Sequence, residues 1–473
     1  MLTFLRRTVP LLLVVVLVGA CAKHARQDAP PQRSDAFVQD LERRTFQWFW
    51  DVTNPTNGLV PDRWPTINFS SVAAIGFGLT AYGVGAERGY VARAEARDRT
   101  LTTLQFLWDA PQSDRPRNVT GYRGFFYHFL DMNSGERFKT VELSSIDTAL
   151  LVSGILFAQS YFDRADPAEK EIRDLADALY GRVEWSWMQP RPPLIGMGWH
   201  PEKGMHAYDY KGYEEASILY ILALGSPTHA ISPEAWAARL RNYKWATFYG
   251  YEFVNYAPLF IHQYSHVWID FRGIQDAYMR EKGIDYFENS RRATYAQREY
   301  AIDNPSGFRD YSAQIWGLTA CNGPLDRKGV IDGKPVQFHT YWARGASSGD
   351  VRDDGTIAPT AAAGSLPFAP EIVVPALKAM QATYGARLFT QYGFIDAFNP
   401  TFPLARLAPS SGAVADDAWY SDDYLGIDQG PIVLMAANHR DALIWNVMKR
   451  NAYIVRGLCR AGFTGGWLAA RCS

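Results

Sequence analysis

Two kinds of helix alternate along this sequence, and the alternation limits the fold more than any other feature. Residues 70–84, 144–162 and 213–224 are apolar or small on every side. Residues 91–108, 167–187 and 233–245 instead carry charge along one face, as with Arg93, Glu95, Arg97, Asp98 and Arg99 in the first of them. A helix without a polar face has to be packed all round, whereas one with a wet face belongs at the surface. The same reading makes the segment from Ser34 amphipathic, 262–278 mixed and aromatic, 285–300 charged, 368–384 buried with Pro375 inside it, 431–438 buried, and 441–455 a closing exposed helix. Residues 301–368 show no clear register.

Six candidate buried helices, each partnered by an exposed one, predict an all-α (α/α)6 toroid. A two-domain helical solenoid would give a related pattern. No repeat of fixed length is present, which favours the closed ring. Short hairpins are expected in the long connections, 124–129 against 136–141 and around 194–199.

If inner and outer helices run up and down in turn, all inner helices start at one end, and residues at their N-termini meet at one mouth. Three acidic sites fall there: Glu142 with Asp147, Glu214 with Glu215, and Asp428 ahead of Pro431. Each is reached through a long loop rich in aromatics and glycine, the kind of segment in which binding sites collect. Each also suits a structural role. Ser144-Ser145-Ile146-Asp147 has capping-box spacing, Asp428 fits a Gly-Ile-Asp-Gln-Gly-Pro turn, and Glu214 and Glu215, about 100° apart on a helix, both suit its positive end. Their joint placement beside aromatic loops favours function. Carboxylates gathered in an aromatic cleft point to glycoside hydrolysis, one protonating the leaving oxygen and another acting as base or nucleophile.

Composition narrows the alternatives. With a net charge of −1 and 21% charged residues, the chain offers no field for nucleic acid. Its 15 Trp, 26 Tyr and 26 Phe fill a large core and also provide platforms for pyranose faces. No Gly-x-Ser-x-Gly elbow, Walker loop or dinucleotide fingerprint is found, and no Cys/His spacing suggests zinc, so neither cofactor nor metal is expected. Cys459 and Cys472 lie near enough in sequence to bridge in an oxidising compartment, and Cys321 stands alone.

The N-terminus reads as a processing signal. Arg6 and Arg7 precede an apolar run, and Leu17-Val18-Gly19-Ala20-Cys21 resembles a bacterial lipobox, which implies cleavage before Cys21 and acylation of its sulfur. Residues 1–20 are then a signal peptide, 21–34 the lipidated Cys21 with a flexible tether, and 35–473 a single catalytic domain. The expected product is a monomeric lipoprotein on the periplasmic side of a bacterial membrane, the outer membrane being favoured.

Several segments together resemble the bacterial glucoamylase-like family: Glu142-Leu-Ser-Ser-Ile-Asp147, Gly212-Tyr-Glu-Glu215-Ala, His262-Gln-Tyr-Ser with Asp270-Phe-Arg272-Gly, Asp354-Gly-Thr-Ile-Ala-Pro, and Gly426-Ile-Asp-Gln-Gly-Pro-Ile. Characterised members include endo-β-1,2-glucanases of glycoside hydrolase family 144. The resemblance runs from about residue 35 to 455 and implies hydrolysis of β-1,2-glucan with inversion. It implies Glu215 as the essential glutamate and general acid, Asp428 as an essential aspartate and Asp147 as another acidic cleft residue; the base is then expected to be Asp428 or Asp147. Glu142, Glu214, Trp199, His200, Tyr213, His262 and Arg272 are candidates for substrate contacts. Glu214 stands where the family motif has a neutral amide, often Asn, and a second carboxylate there tends to raise the acid's pKa. Inverting geometry places the two carboxyls about 6.5–9.5 Å apart. The alternatives are a transglycosylase, a hydrolase of another glucan, and a glycan-binding lipoprotein without catalysis.

Overall fold

In the computed structural model, which describes residues 35–472, the alternation is realised as six outer–inner pairs. Outer α1 (Ala36–Val52) precedes inner α2 (Val72–Arg88), and α3 (Arg93–Asp109) precedes α4 (Ser145–Tyr161). Next come α5 (Pro167–Gly181) with α6 (Ser217–Gly225), and α7 (Glu234–Leu240) with the five-residue α8 (Tyr264–Trp268). Two outer helices, α9 (Ala277–Lys282) and α10 (Tyr286–Asp303), lead to inner α11 (Pro359–Ala363), and α12 (Pro370–Leu388) leads to α13 (Gly426–Asp441). The chain closes with α14 (Leu443–Met448) and α15 (Ala452–Arg460).

Among the inner helices α2 packs on α4 and α13, α4 on α6, α6 on α8, and α11 on α13. The remaining gap is bridged beside α8, where Gln263 Nε2 donates to Ala361 O and Ser365 Oγ, both at 2.8 Å. The ring is therefore the expected (α/α)6 toroid. Its tightest crossing is α2 on α4, where glycine is required for space: a Cβ on Gly76 would stand 2.2 Å from Leu150 O, and one on Gly154 would stand 2.1 Å from Gly76 O.

Short strands rim the end where the inner helices begin. Ser70–Ser71, Leu143–Ser144 and Tyr424–Leu425 lead directly into α2, α4 and α13. The first pairs with Phe129–Leu130 and the last with Arg63–Trp64. Leu143–Ser144 is the central strand of a five-stranded sheet, between Phe125–Tyr127 and Gly198–His200. Ser71 and Ser144 cap their helices, accepting from the N–H of Ala74 and Asp147.

Several expectations need correction. Residues 370–388 form a half-exposed outer helix, not an inner one. Val373, Ala376, Leu377, Met380 and Tyr384 make one buried stripe, while Val374, Ala379 and Ala382 only raise the hydropathy of the wetter face. The inner helix just before it, partnered by α9 and α10, is the short Pro-Thr-Ala-Ala-Ala of α11. Residues 262–278 shorten to α8 and loop, and 441–455 divide at Asn451, whose side chain caps α15. Strand Phe125–Tyr127 pairs with Gly121–Tyr122 and Leu143–Ser144 rather than with 136–141, of which only Arg137 makes an isolated bridge, to Leu130.

Cys459 and Cys472 are joined by a disulfide, and Cys321 is buried and free. The segment expected to hold a signal peptide, lipidated Cys21 and a tether falls outside the described residues. Among the described residues no helix is long and apolar enough to cross a membrane.

Candidate active site

The rimmed end of the ring opens into a cleft of about 310 Å³. Glu142, Asp147 and Glu215 line it, and Ile427, next to Asp428, forms part of its wall. A larger groove of about 610 Å³ beside Arg450, Arg456 and Arg460 lies along α15 and has no carboxylate in its lining. The carboxylates, and with them the chemistry, belong to the smaller cleft.

Glu215 does not start a helix. It sits with Glu214 in a turn just ahead of α6, so the 100° spacing does not apply. The turn is fixed from behind: fully buried Arg239 donates to Gly212 O at 3.0 Å and to Ser217 Oγ at 2.9 Å, and Ser265 Oγ donates to Glu215 O at 3.1 Å. Tyr210 Oη lies 3.5 Å from Glu215 Oε1. Burial pushes the Glu215 carboxyl up to about 7, and the neighbouring Glu214 and Asp147 carboxylates add to the rise. A carboxyl that still holds its proton near neutral pH can donate it. Glu214 answers instead to Arg239, whose charge opposes the upward push of burial on Glu214.

Asp147 lies in the first turn of α4, which Ser144 caps, and its side chain faces the cleft. Its carboxylate accepts from the Ser144 hydroxyl, and its Oδ2 lies 3.5 Å from His128 Nε2. The other ring nitrogen of His128 is 2.7 Å from Glu142 Oε1, and the ring stacks on Phe129 at 3.9 Å. Burial works against charge on His128, but Asp147, Glu142 and Asp62 outweigh it and raise its pKa to about 9. Burial also opposes ionisation of Glu142, yet the His128 bond and charge bring that carboxyl down to about 2. An imidazolium thus joins two carboxylates.

Asp428 occupies the first turn of α13 and is only 2% exposed. It meets two carboxyls that the sequence did not single out, Asp396 and Asp62. Burial raises it well above the ordinary carboxylate range, and both neighbours add to this. Tyr264 stands among all three acidic sites: its hydroxyl feels the Asp428, Glu215 and Asp147 charges and lies 3.4 Å from Ile427 O.

Tyr341 also lines the cleft, with half its side chain open (51%) while its hydroxyl end is crowded and faces the fields of Asp428, Asp396 and Asp62. Its presentation is rigid. The next residues, Trp342–Ala343, pair with Ala320–Cys321, and buried Arg344 bonds Asp354 at 2.7 Å.

Among the expected contacts, Trp199 packs behind the rim against Tyr122 and Trp187, and His200 stacks on His206, which reaches the cleft in its place. Tyr213 is core, lying parallel to Tyr286 and against His262. His262 is 1% exposed, and burial lowers its pKa to about 4. Arg272 follows the C-terminus of α8, away from the mouth, where it bonds Asp270 and covers Trp445. These three residues do not line the cleft.

Comparison with known proteins agrees with this architecture. A "putative glucoamylase" from Bacteroides uniformis superposes with a TM-score of 0.78 at 31% identity, covering 93% of this chain and 100% of that one. The endo-β-1,2-glucanase of Chitinophaga pinensis, solved with sophorotriose and glucose, gives 0.76 at 28% identity, covering 92% and 99%. The exo β-1,2-glucooligosaccharide sophorohydrolase (non-reducing end) of Parabacteroides distasonis is 28% identical over 466 residues, which is 90% of this chain but 58% of that protein, so this chain spans little more than half of that relative's length. A family model described as "Putative glucoamylase" matches residues 207–452, more than half of the chain, and includes the Glu215 turn, the Tyr341 segment and the head of α13. The chain belongs to the glycoamylase family.

Proposed function

We propose that this protein is an inverting glycoside hydrolase that cleaves within β-1,2-linked glucan. The observation that carries the reading is Glu215: a cleft carboxyl held protonated to about pH 7, facing a wall of other carboxylates. The β-1,2-glucan hydrolases among its relatives supply the linkage. Glu215 donates its proton to the leaving glycosidic oxygen. Asp428, made more basic by burial and by its acidic neighbours, takes a proton from the attacking water. Asp147 suits the base role less well, because its carboxylate is already engaged by the Ser144 hydroxyl and the His128 ring. It holds negative charge beside the oxocarbenium-like centre. Tyr341 offers its open ring to a sugar face.

The test is reducing-end release from linear β-1,2-glucan beside β-1,3- and α-1,4-glucan, with Glu215→Gln as control and polarimetry to read the product anomer. Release from the β-1,2 polymer alone, as the inverted anomer and lost in the variant, is expected. Binding without release would mean a glycan-binding protein. A rise in reducing power that depends on added acceptor would mean transfer.

A second reading is exo-release of a disaccharide. It is favoured by the cleft volume, which lies at the small end of the about 300–1,000 Å³ usual for ligand sites. Sophorose as the sole early product, with little loss of polymer viscosity, would select it. The Arg6–Arg7 and Leu17–Cys21 pattern further supports an enzyme anchored in the cell envelope by acylated Cys21. Cys21→Ser should then move the protein from the membrane to the soluble fraction.

A further inference from the structure

Asp428 is not alone in its pocket: the Asp396 carboxyl lies against it. We propose that Asp428 and Asp396 form a single unit, a buried carboxyl pair that shares one proton in the resting enzyme, with Asp428 the base and Asp396 its positioning residue. The assignment of the base rests on the function proposed above, whereas the shared proton rests on the burial of the two carboxyls and on the hydrogen-bond donors they lack.

Both side chains are 2% exposed and they hydrogen-bond each other. A bond between two carboxyls requires a hydrogen on one of them. Each also keeps one buried oxygen without a donor, Asp396 Oδ1 and Asp428 Oδ2, while Asp396 Oδ2 accepts from Asn322 N at 2.7 Å. One proton between the pair supplies the donor the site lacks.

The surroundings do not offer enough cationic charge to ionise both. Arg63 faces the pair but is engaged by Asp62 at 3.0 Å. Arg344 is committed to Asp354 through two bonds, at 2.7 and 2.8 Å. The other facing groups are Asp62, which adds negative charge, the hydroxyls of Tyr264 and Tyr341, and the Cys321 thiol. Burial raises both carboxyls; the Asp396 charge adds to the rise on Asp428, while the bond to Asp428 opposes it on Asp396, in keeping with a proton retained near neutral pH.

In the reaction the pair starts as a monoanion. The attacking water gives one proton to Asp428 as its oxygen bonds to the anomeric carbon, and the glycosidic C–O bond breaks as the leaving oxygen takes the Glu215 proton. The pair then holds two protons until one returns to solvent, and Glu215 is reprotonated from water.

Infrared spectroscopy tests the proton directly. Glu215→Gln serves as the parent, so that Glu215 adds no acid band, and spectra are taken at pH 8. Asp396→Asn, Asp428→Asn and the double variant should each lose one protonated-carboxyl C=O band, the same band in every case, and the double should lose no more than either single variant. A band retained in both single variants, or two bands lost in the double, overturns the proposal. Asp428→Asn keeps the test open if Asp396→Asn does not fold, and the result stands even if no glucan is cleaved. In the otherwise native enzyme, Asp396→Asn should move the acidic limb of the kcat profile down by about one pH unit or more. A merely structural role for Asp396 would lower the folded fraction and leave that limb in place, and a fixed limb in a folded variant would refute its part in the base.

Discussion

Removing the acid should make the enzyme inactive and, above neutral pH, more stable. The Glu215 carboxyl is raised from 4.5 to about 7, chiefly by burial. At about 1.36 kcal/mol per pH unit this corresponds to about 3.4 kcal/mol. The side chain is partly open to cleft water, and screening there reduces the figure to about 2 kcal/mol. The sign follows from proton linkage. Below about pH 4.5 both the native and the unfolded chain hold the proton, and Glu215 costs nothing. As pH rises towards 7 the unfolded chain releases it first, so stability falls, and above 7 the whole penalty is present. Gln has no proton to release and is nearly isosteric, so Glu215→Gln should match the parent at pH 4.5 and exceed it by about 2 kcal/mol at pH 8.5. Urea unfolding followed by tryptophan fluorescence at the two pH values measures this. Equal stability at both, or a uniform loss, would show that the site does not destabilise an ionised Glu215 and would remove the physical basis for its role as acid.

Further outcomes follow from the neighbouring residues. Glu214→Gln should move the descending limb of kcat, set by Glu215 near pH 7, downward by about half to one unit, since Glu214 is a secondary cause of the rise. An unmoved limb would mean that Glu214 is itself neutral there. Tyr341→Ala should raise KM about two- to tenfold with little change in kcat, as a stacked ring contributes about 0.5–1.5 kcal/mol, while Tyr341→Phe keeps KM near the parent value. Oligosaccharide calorimetry on both variants checks this, and equal losses would assign the effect to the hydroxyl. Gly76→Ala should destabilise by about 3 kcal/mol or prevent folding, because its methyl would meet Leu150 O on the facing helix. A urea midpoint equal to the parent's would show that α2 and α4 can separate freely.

What could be read from sequence was what a period of 3.6 residues controls. The helices α2, α4 and α13 are long enough for their lack of a polar face to stand out, and their order located Asp147, Glu215 and Asp428 at one mouth before any coordinates. The five residues of α8 and of α11 are too short for a period, and their burial comes from neighbours. Side-chain direction in the irregular segments was out of reach. Tyr213 and His262 sit in motifs beside the acids yet turn outward onto Tyr286 and Tyr256. His128, Tyr341 and Asp396 come from hairpins and loops whose register depends on pairing partners far along the chain. The one weak signal was that His200 and His206 flank a tight turn, so that if one packs behind the rim the other can face the cleft.

The ring is fastened where its two ends meet. Arg63–Trp64 pairs with Tyr424–Leu425, Arg440 reaches Glu42 across 398 residues, and Arg88 grips Asp441 across 353. Asp62 belongs to the first of these segments and Asp428 to the last. A chain leaving the ribosome therefore exposes the unpaired faces of α1 and α2 until α13 has emerged, and no shorter nascent form contains a complete acid–base set. Such long-range closure slows folding and leaves apolar surface open for the whole of synthesis. The protein should depend on holding chaperones until its chain is complete, and catalysis should appear in a single step when α13 closes on α1 and α2.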